Sequence, residues 1–120
     1  MHENVSSPER LLPLTPAVFH ILLALADGER HGYGIMKNVA ETTAGQIRLG
    51  PGTLYGTLKR LIEGGFIEES EERPDLELDD ERRRYYRLTE WGGRVARAEV
   101  QRLSKMVNLA QAKRLVDRYA

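Results

Sequence analysis

The stretch Leu49-Gly50-Pro51-Gly52-Thr53-Leu54-Tyr55-Gly56-Thr57-Leu58-Lys59-Arg60-Leu61-Ile62-Glu63-Gly64-Gly65-Phe66-Ile67 decides the fold. Gly50 reads as an N-cap, Pro51 as the first helical residue, and Gly64-Gly65 as the stop. Leu54, Leu58, Leu61 and Ile62 recur at helical spacing and predict one buried stripe. That leaves Thr53, Gly56, Thr57 and Arg60 on the opposite face, flanked by Tyr55 and Lys59. A Gly inside a helix costs about 1 kcal/mol relative to Ala, so stability alone does not call for Gly56. Small residues, hydroxyls and cations on an outer face suit close approach to a grooved, anionic partner, and DNA is the first to consider.

Upstream, Thr15-Pro16 opens a first core helix by the same cap-then-proline logic. Val18, Ile21, Leu22, Leu25 and Ala26 form its buried stripe, and Asp27-Gly28 stops it. A second helix fits Gly32 to Thr43, with Ile35, Met36, Val39 and Ala40 on one face and Gly45 just past its end. Gln46 to Leu49 then links it to the third, completing a helix-turn-helix on a three-helix core. Before all of this, Met1 to Arg10 has the composition of a loose polar arm, and Leu11-Leu12-Pro13-Leu14 is apolar enough to tuck against the body.

Downstream, Phe66-Ile67-Glu68-Glu69 and Arg84-Tyr85-Tyr86-Arg87-Leu88 read as two strands, with an acidic segment forming a long hairpin tip. Tyr86 and Leu88 share the core face, so Arg83 and Arg87 face outward. A helical pattern then runs from Thr89 or Glu90 to about Tyr119, roughly 45 Å at the usual rise. The predicted fold class is mainly α (α+β): a flexible arm (1–13), a winged helix-turn-helix domain (14–89) and a long C-terminal dimerisation helix (90–120). Val100, Leu103, Met106, Val107 and Ala110 are its expected dimer-forming positions, since a single helix with this stripe needs a partner to cover it.

Composition bounds the remaining possibilities. The 120 residues suffice for one core. The chain has no Cys, which excludes disulfides, thiolate metal sites and thiol nucleophiles. No apolar run approaches the roughly 20 residues of a membrane span, and the polar start lacks a signal pattern, so the expected location is the cytoplasm with no membrane partner. Net charge is zero, yet residues 68–81 hold nine of the 18 acids and one of the 18 Lys and Arg, leaving the remainder eight positive. An acidic loop masks a basic body. No His pair with a carboxylate, phosphate-cradling glycine loop or metal-ligand cluster is present, so neither catalytic residues nor a cofactor or metal is expected.

Residues along the chain narrow the layout. Leu14-Thr15-Pro16, His31-Gly32-Tyr33-Gly34-Ile35, Gly52-Thr53-Leu54-Tyr55 with Leu58-Lys59-Arg60-Leu61, and Arg83-Arg84-Tyr85-Tyr86-Arg87-Leu88-Thr89 follow in order. In these motifs the chain resembles the PadR family of bacterial transcriptional regulators, from about Leu12 to its end. The resemblance implies a homodimeric regulator of double-stranded DNA, usually a repressor, whose third helix enters the major groove. It also implies a small hydrophobic effector in some relatives, seated between paired terminal helices near a mid-helix aromatic. Here Trp91 lies in the first turn, and Leu103, Met106 and Val107 hold the middle.

The candidate DNA-binding residues are therefore Thr53, Tyr55, Gly56, Thr57, Lys59 and Arg60 of the third helix, His31 and Tyr33 opening the second, and Arg83 and Arg87 of the wing. Several have a second reading. Tyr55 either meets a phosphate or packs on the core edge, and His31 and Tyr33 either hold a phosphate or cap and pack. The wing arginines either touch phosphates or neutralise the neighbouring acids. His20 reads as a structural histidine, and Trp91 as a core anchor or a crevice wall. The rival to DNA binding is a winged helix used for protein contact alone, which would favour aromatic and apolar anchors on the third helix.

Overall fold

The computed structural model describes residues 7–74 and 82–116. Thr15 caps α1 (Pro16–Ala24), its hydroxyl accepting from the Val18 N–H at 3.2 Å. The helix ends at Ala24 because the Leu25 N–H is shared between the Ile21 and Leu22 carbonyls, both at 3.2 Å. Gly28, at φ +143°, completes the turn that the sequence marks at Asp27-Gly28.

The chain next forms a two-residue strand, β1 (Arg30–His31), and passes directly into α2 (Gly32–Thr42). Thr43 closes α2: its hydroxyl donates to the Val39 carbonyl at 2.8 Å and accepts from the Ile47 N–H at 3.0 Å. α3 (Pro51–Glu63) begins at the Gly50 cap. It ends where the Phe66 N–H returns to the Leu61 carbonyl and the Gly65 N–H to that of Ile62, with Gly65 at φ +79°. This paired bonding satisfies the last carbonyls and needs a left-handed residue after the cap.

The wing consists of β2 (Ile67–Pro74) and β3 (Arg82–Leu88), both longer than the sequence implies. The sheet is antiparallel in the order β1-β3-β2, so β3 is central, and β1 adds a third strand that sequence reading did not include. Glu68 stands opposite Arg87 and Glu69 opposite Tyr86, and an irregularity lies between Ser70 and Arg73. Of the acidic tip expected between Glu69 and Arg84, residues 70–74 and 82–83 belong to the strands, and residues 75–81 lie outside the described residues.

Leu54, Leu58 and Leu61 of α3 join Ile21, Leu22, Ile35, Val39, Ile67 and Tyr86 in one core. Tyr86 is buried as expected, and burial, with Glu69 close by, pushes its phenol above the usual tyrosine value.

The last helix, α4 (Glu90–Ala112), is anchored to the body at two places. At its start the Thr89 hydroxyl donates to the Gly65 carbonyl at 2.6 Å, and the Thr89 N–H to that of Phe66 at 3.1 Å. Gly92 presses so closely on Phe66 that a β-carbon would overlap the Phe66 carbonyl oxygen. Two turns on, Glu99 is 2% exposed and accepts from the Leu14 N–H at 3.0 Å and from the Arg102 guanidinium at 2.6 and 3.0 Å. The arm leading to α1 is therefore fastened to α4. Within the expected loose arm, Pro8–Leu11 forms a 3₁₀ turn packed on α4, with Pro8 buried.

α4 stops at Ala112 rather than near Tyr119, about 34 Å long at the usual rise. The Leu115 N–H bonds the Ala110 carbonyl and the Arg114 N–H that of Gln111, with Arg114 in the left-handed region at φ +62°. This is the same closure that ends α3, made here without glycine. Residues 117–120 lie outside the described residues.

Glu99 ties stability to pH. The bond from Arg102 holds its carboxyl below the usual carboxylate range, the Leu14 N–H adds to this, and burial acts the other way. A carboxylate lowered on folding stabilises the native state above its unfolded pKa, and that contribution is lost as pH falls through the folded value. Glu99→Gln is expected to be less stable than the parent by about 1–3 kcal/mol at pH 7, with the gap closing in acid. Urea unfolding from pH 7 to pH 2 measures this, and a gap constant with pH would show that the charge plays no part.

Candidate nucleic-acid interface

On α3 the outer face holds Thr53, Tyr55, Lys59 and Arg60, all exposed, with Gly56 half-buried between them. Thr57 departs from the expectation that it lies on this face. It is 3% exposed, whereas Ile62, expected in the buried stripe, is only partly buried. The physical reason is rotational: positions 54, 57, 58 and 61 form the inward set, and a threonine fits there because its hydroxyl donates to the Thr53 carbonyl at 2.7 Å. The same oxygen accepts from the Arg60 guanidinium at 3.2 Å. Thr57 thus holds Arg60 back along the helix over Gly56 instead of facing a partner itself.

Tyr55 is 46% exposed, and its ring leans on α2, where a side chain at Gly32 would collide with the phenol. His31 caps α2, its Nδ1 accepting from the Gly34 N–H at 3.0 Å. Its ring meets Tyr85 edge-on at 5.4 Å and lies beside Tyr33 at 6.4 Å. Tyr33 is 55% exposed. The α2 cap therefore meets β3 through the His31 and Tyr85 rings, and Tyr55 of α3 approaches the same end of α2 at Gly32.

On the wing, Arg87 is outward as expected, but it is paired with Glu68 at 2.8 Å, which raises its guanidinium further above the ordinary value. Arg84 pairs with Glu69 at 3.1 Å. The side chain of Arg83 lies outside the described residues. By contrast Lys37, Lys59 and Arg48 form no ion pair among the described residues. Lys37 and Arg48 were not singled out from sequence. Lys37 lies one helical turn beyond Tyr33, and that spacing was the available signal.

The dimer candidates lie where α4 leaves the body. Val100, Met106 and Val107 are about half exposed, and Leu103 and Ala110 less so. Trp91 is half-buried, with the Arg94 guanidinium 5.4 Å from its ring centre. His20 is partly buried with its ring edge-on to Phe19. Among the described residues no cluster of His, Cys, Asp and Glu could hold a metal, and no helix is long and apolar enough to cross a membrane.

A helix-turn-helix core with a hairpin beside it defines a winged helix-turn-helix protein. Residues 21–98 match the transcriptional regulator PadR-like family, and the chain belongs to that family. Its members are transcriptional regulators, not enzymes. A PadR family transcription regulator from Clostridium difficile superposes with a TM-score of 0.67 at 25% identity, over 79% of this chain and 94% of that one. Bacillus subtilis PadR, solved in complex with operator DNA, gives 0.62 at 23% identity over 72% and 47% of the two chains, a likeness of fold. A 53-residue stretch is 47% identical to an uncharacterized 37.1 kDa protein in transposon TN4556 of Streptomyces fradiae, covering 44% of this chain but only 15% of that protein.

Proposed function

We propose that this PadR-family regulator is a homodimeric repressor acting in the cytoplasm on a palindromic operator. α3 enters the major groove, the wing lies along the flanking backbone, and α4 pairs with its counterpart in a second copy. The carrying observation is the outer face of α3, where Lys59 forms no ion pair among the described residues and Arg60 is held in place by the buried Thr57. A helix whose other side is packed into the core presents these groups on a rigid support. The operator in the Bacillus subtilis complex is a supporting analogy. Glu68 is no obstacle to phosphate contact by Arg87, because exposed ion pairs are worth at most about 1 kcal/mol and exchange readily. An effector between paired α4 helices would meet aliphatic side chains, since Trp91 lies in the first turn.

Selecting bound duplexes from genomic fragments and measuring three variants on the selected site tests the reading. Arg60→Ala is expected to weaken the operator by about 1–3 kcal/mol and to relax base preference if the guanidinium reads a guanine. Thr57→Val keeps the buried shape but frees Arg60, so a smaller loss in the same direction is expected. Lys59→Ala should weaken all sequences alike. Unchanged affinity in all three would move the binding surface off α3 and favour a protein-contact module.

A further inference from the structure

One groove lies off the face of α3. It is an open cleft of about 430 Å³ between α2 and the link to α3. It is lined by apolar Met36, Ala40 and Leu49, by Tyr33, by the cations Lys37 from the helix and Arg48 from the link, and by the carboxylate of Glu41. Lys37 and Arg48 are exposed and have no carboxylate partner among the described residues, although Glu41 lies one turn beyond Lys37. The wing's Arg84 and Arg87 differ in holding exposed carboxylate partners that a phosphate would have to replace. Two cations beside α3 that form no ion pair among the described residues therefore line this groove.

We infer that this groove seats the sugar-phosphate backbone of DNA, a phosphate lying between Lys37 and Arg48 with its deoxyribose against Met36, Ala40 and Leu49. The inference rests on the proposed entry of α3 into the major groove. Arg48 stands two residues before the Gly50 cap of α3, so a duplex engaged by that helix passes beside it. Tyr33 and Lys37 extend the contact along α2. An ammonium and a guanidinium among apolar side chains offer attraction to phosphate and no fixed donor-acceptor pattern for base edges. The groove therefore supplies affinity and register without sequence preference. Each cation engaged on a phosphate releases close to one condensed counterion.

The test is a salt titration of affinity on the selected operator and on a scrambled duplex, for the parent, Lys37→Ala, Arg48→Ala and the double variant. Both side chains are exposed, so the variants fold, and circular dichroism checks this. Each single change is expected to weaken both duplexes by the same factor and to make the slope of log affinity against log salt shallower by about 0.9, the double by about 1.8. Glu41→Gln should strengthen binding, most at low salt where the field is least screened. An unchanged slope in the double variant, with the parent binding its operator, overturns the groove and leaves α3 standing. A loss confined to the operator would make these residues base readers and also overturns it. A parent with no affinity for DNA overturns both readings.

Discussion

Val107→Asp is expected to split the protein into monomers and to reduce operator affinity by at least about 100-fold, the loss of a second, tethered half-site. Val107 is 48% exposed in the single chain, as are Val100 and Met106 to similar degrees, so a carboxylate there costs the isolated fold little. In a paired α4 it would be driven into an apolar seam without a partner charge, which a dimer does not tolerate. Lys105, also exposed, lies nearly opposite Val107 around the helix, so Lys105→Asp serves as the control and should remain dimeric. Sedimentation velocity reads the outcome. A dimeric Val107→Asp would place the interface elsewhere.

The second large effect is expected at Gly92, with the opposite sign at its neighbour. A methyl group at Gly92 would overlap the Phe66 carbonyl oxygen and sit 2.8 Å from the carbonyl carbon, and these backbone atoms cannot rotate away. α4 would have to lift from the body, stretching the Thr89 bonds to Gly65 and Phe66. Gly92→Ala is therefore expected to destabilise by about 3 kcal/mol, the upper part of the range for overpacking, and to lower Tm by more than about 10 °C. At Gly93 a β-carbon meets nothing within 4 Å. Gly93→Ala should gain up to about 1 kcal/mol from helix propensity alone. Thermal unfolding of the two variants checks the contrast, and equal behaviour would contradict the packing of α4 on Phe66.

How much of this was legible beforehand depends on whether local chemistry announces itself. α3 was readable to the residue because Pro51 suits the first turn and Gly65 supplies the left-handed residue its closure needs. The end of α4 was not, because Arg114 adopts that conformation with no glycine to mark it. β1 is too short to carry a period, so its pairing with β3 is visible only in three dimensions. Thr57 shows the limit of polarity as a guide: a hydroxyl that bonds its own helix can be buried as readily as an alanine. At the candidate site, residue types on α3 and the wing pointed to an anionic partner. Sequence could not show that register sets Glu68 opposite Arg87 while Lys37 and Arg48 form no ion pair among the described residues.

The order of the sheet has one further effect. β2 is its long outer strand and carries Glu68, Glu69, Glu71 and Glu72, whereas the opposite edge, β1, offers only two residues. An open edge displays unsatisfied backbone groups that can recruit a strand from another copy and begin a growing aggregate. Along β2, Glu68 and Glu69 are matched by Arg87 and Arg84 of the neighbouring β3, so the edge carries charged groups instead of an apolar face, which makes edge-to-edge stacking unfavourable. Edge-to-edge, fibre-like growth along the sheet is thereby disfavoured between crowded copies.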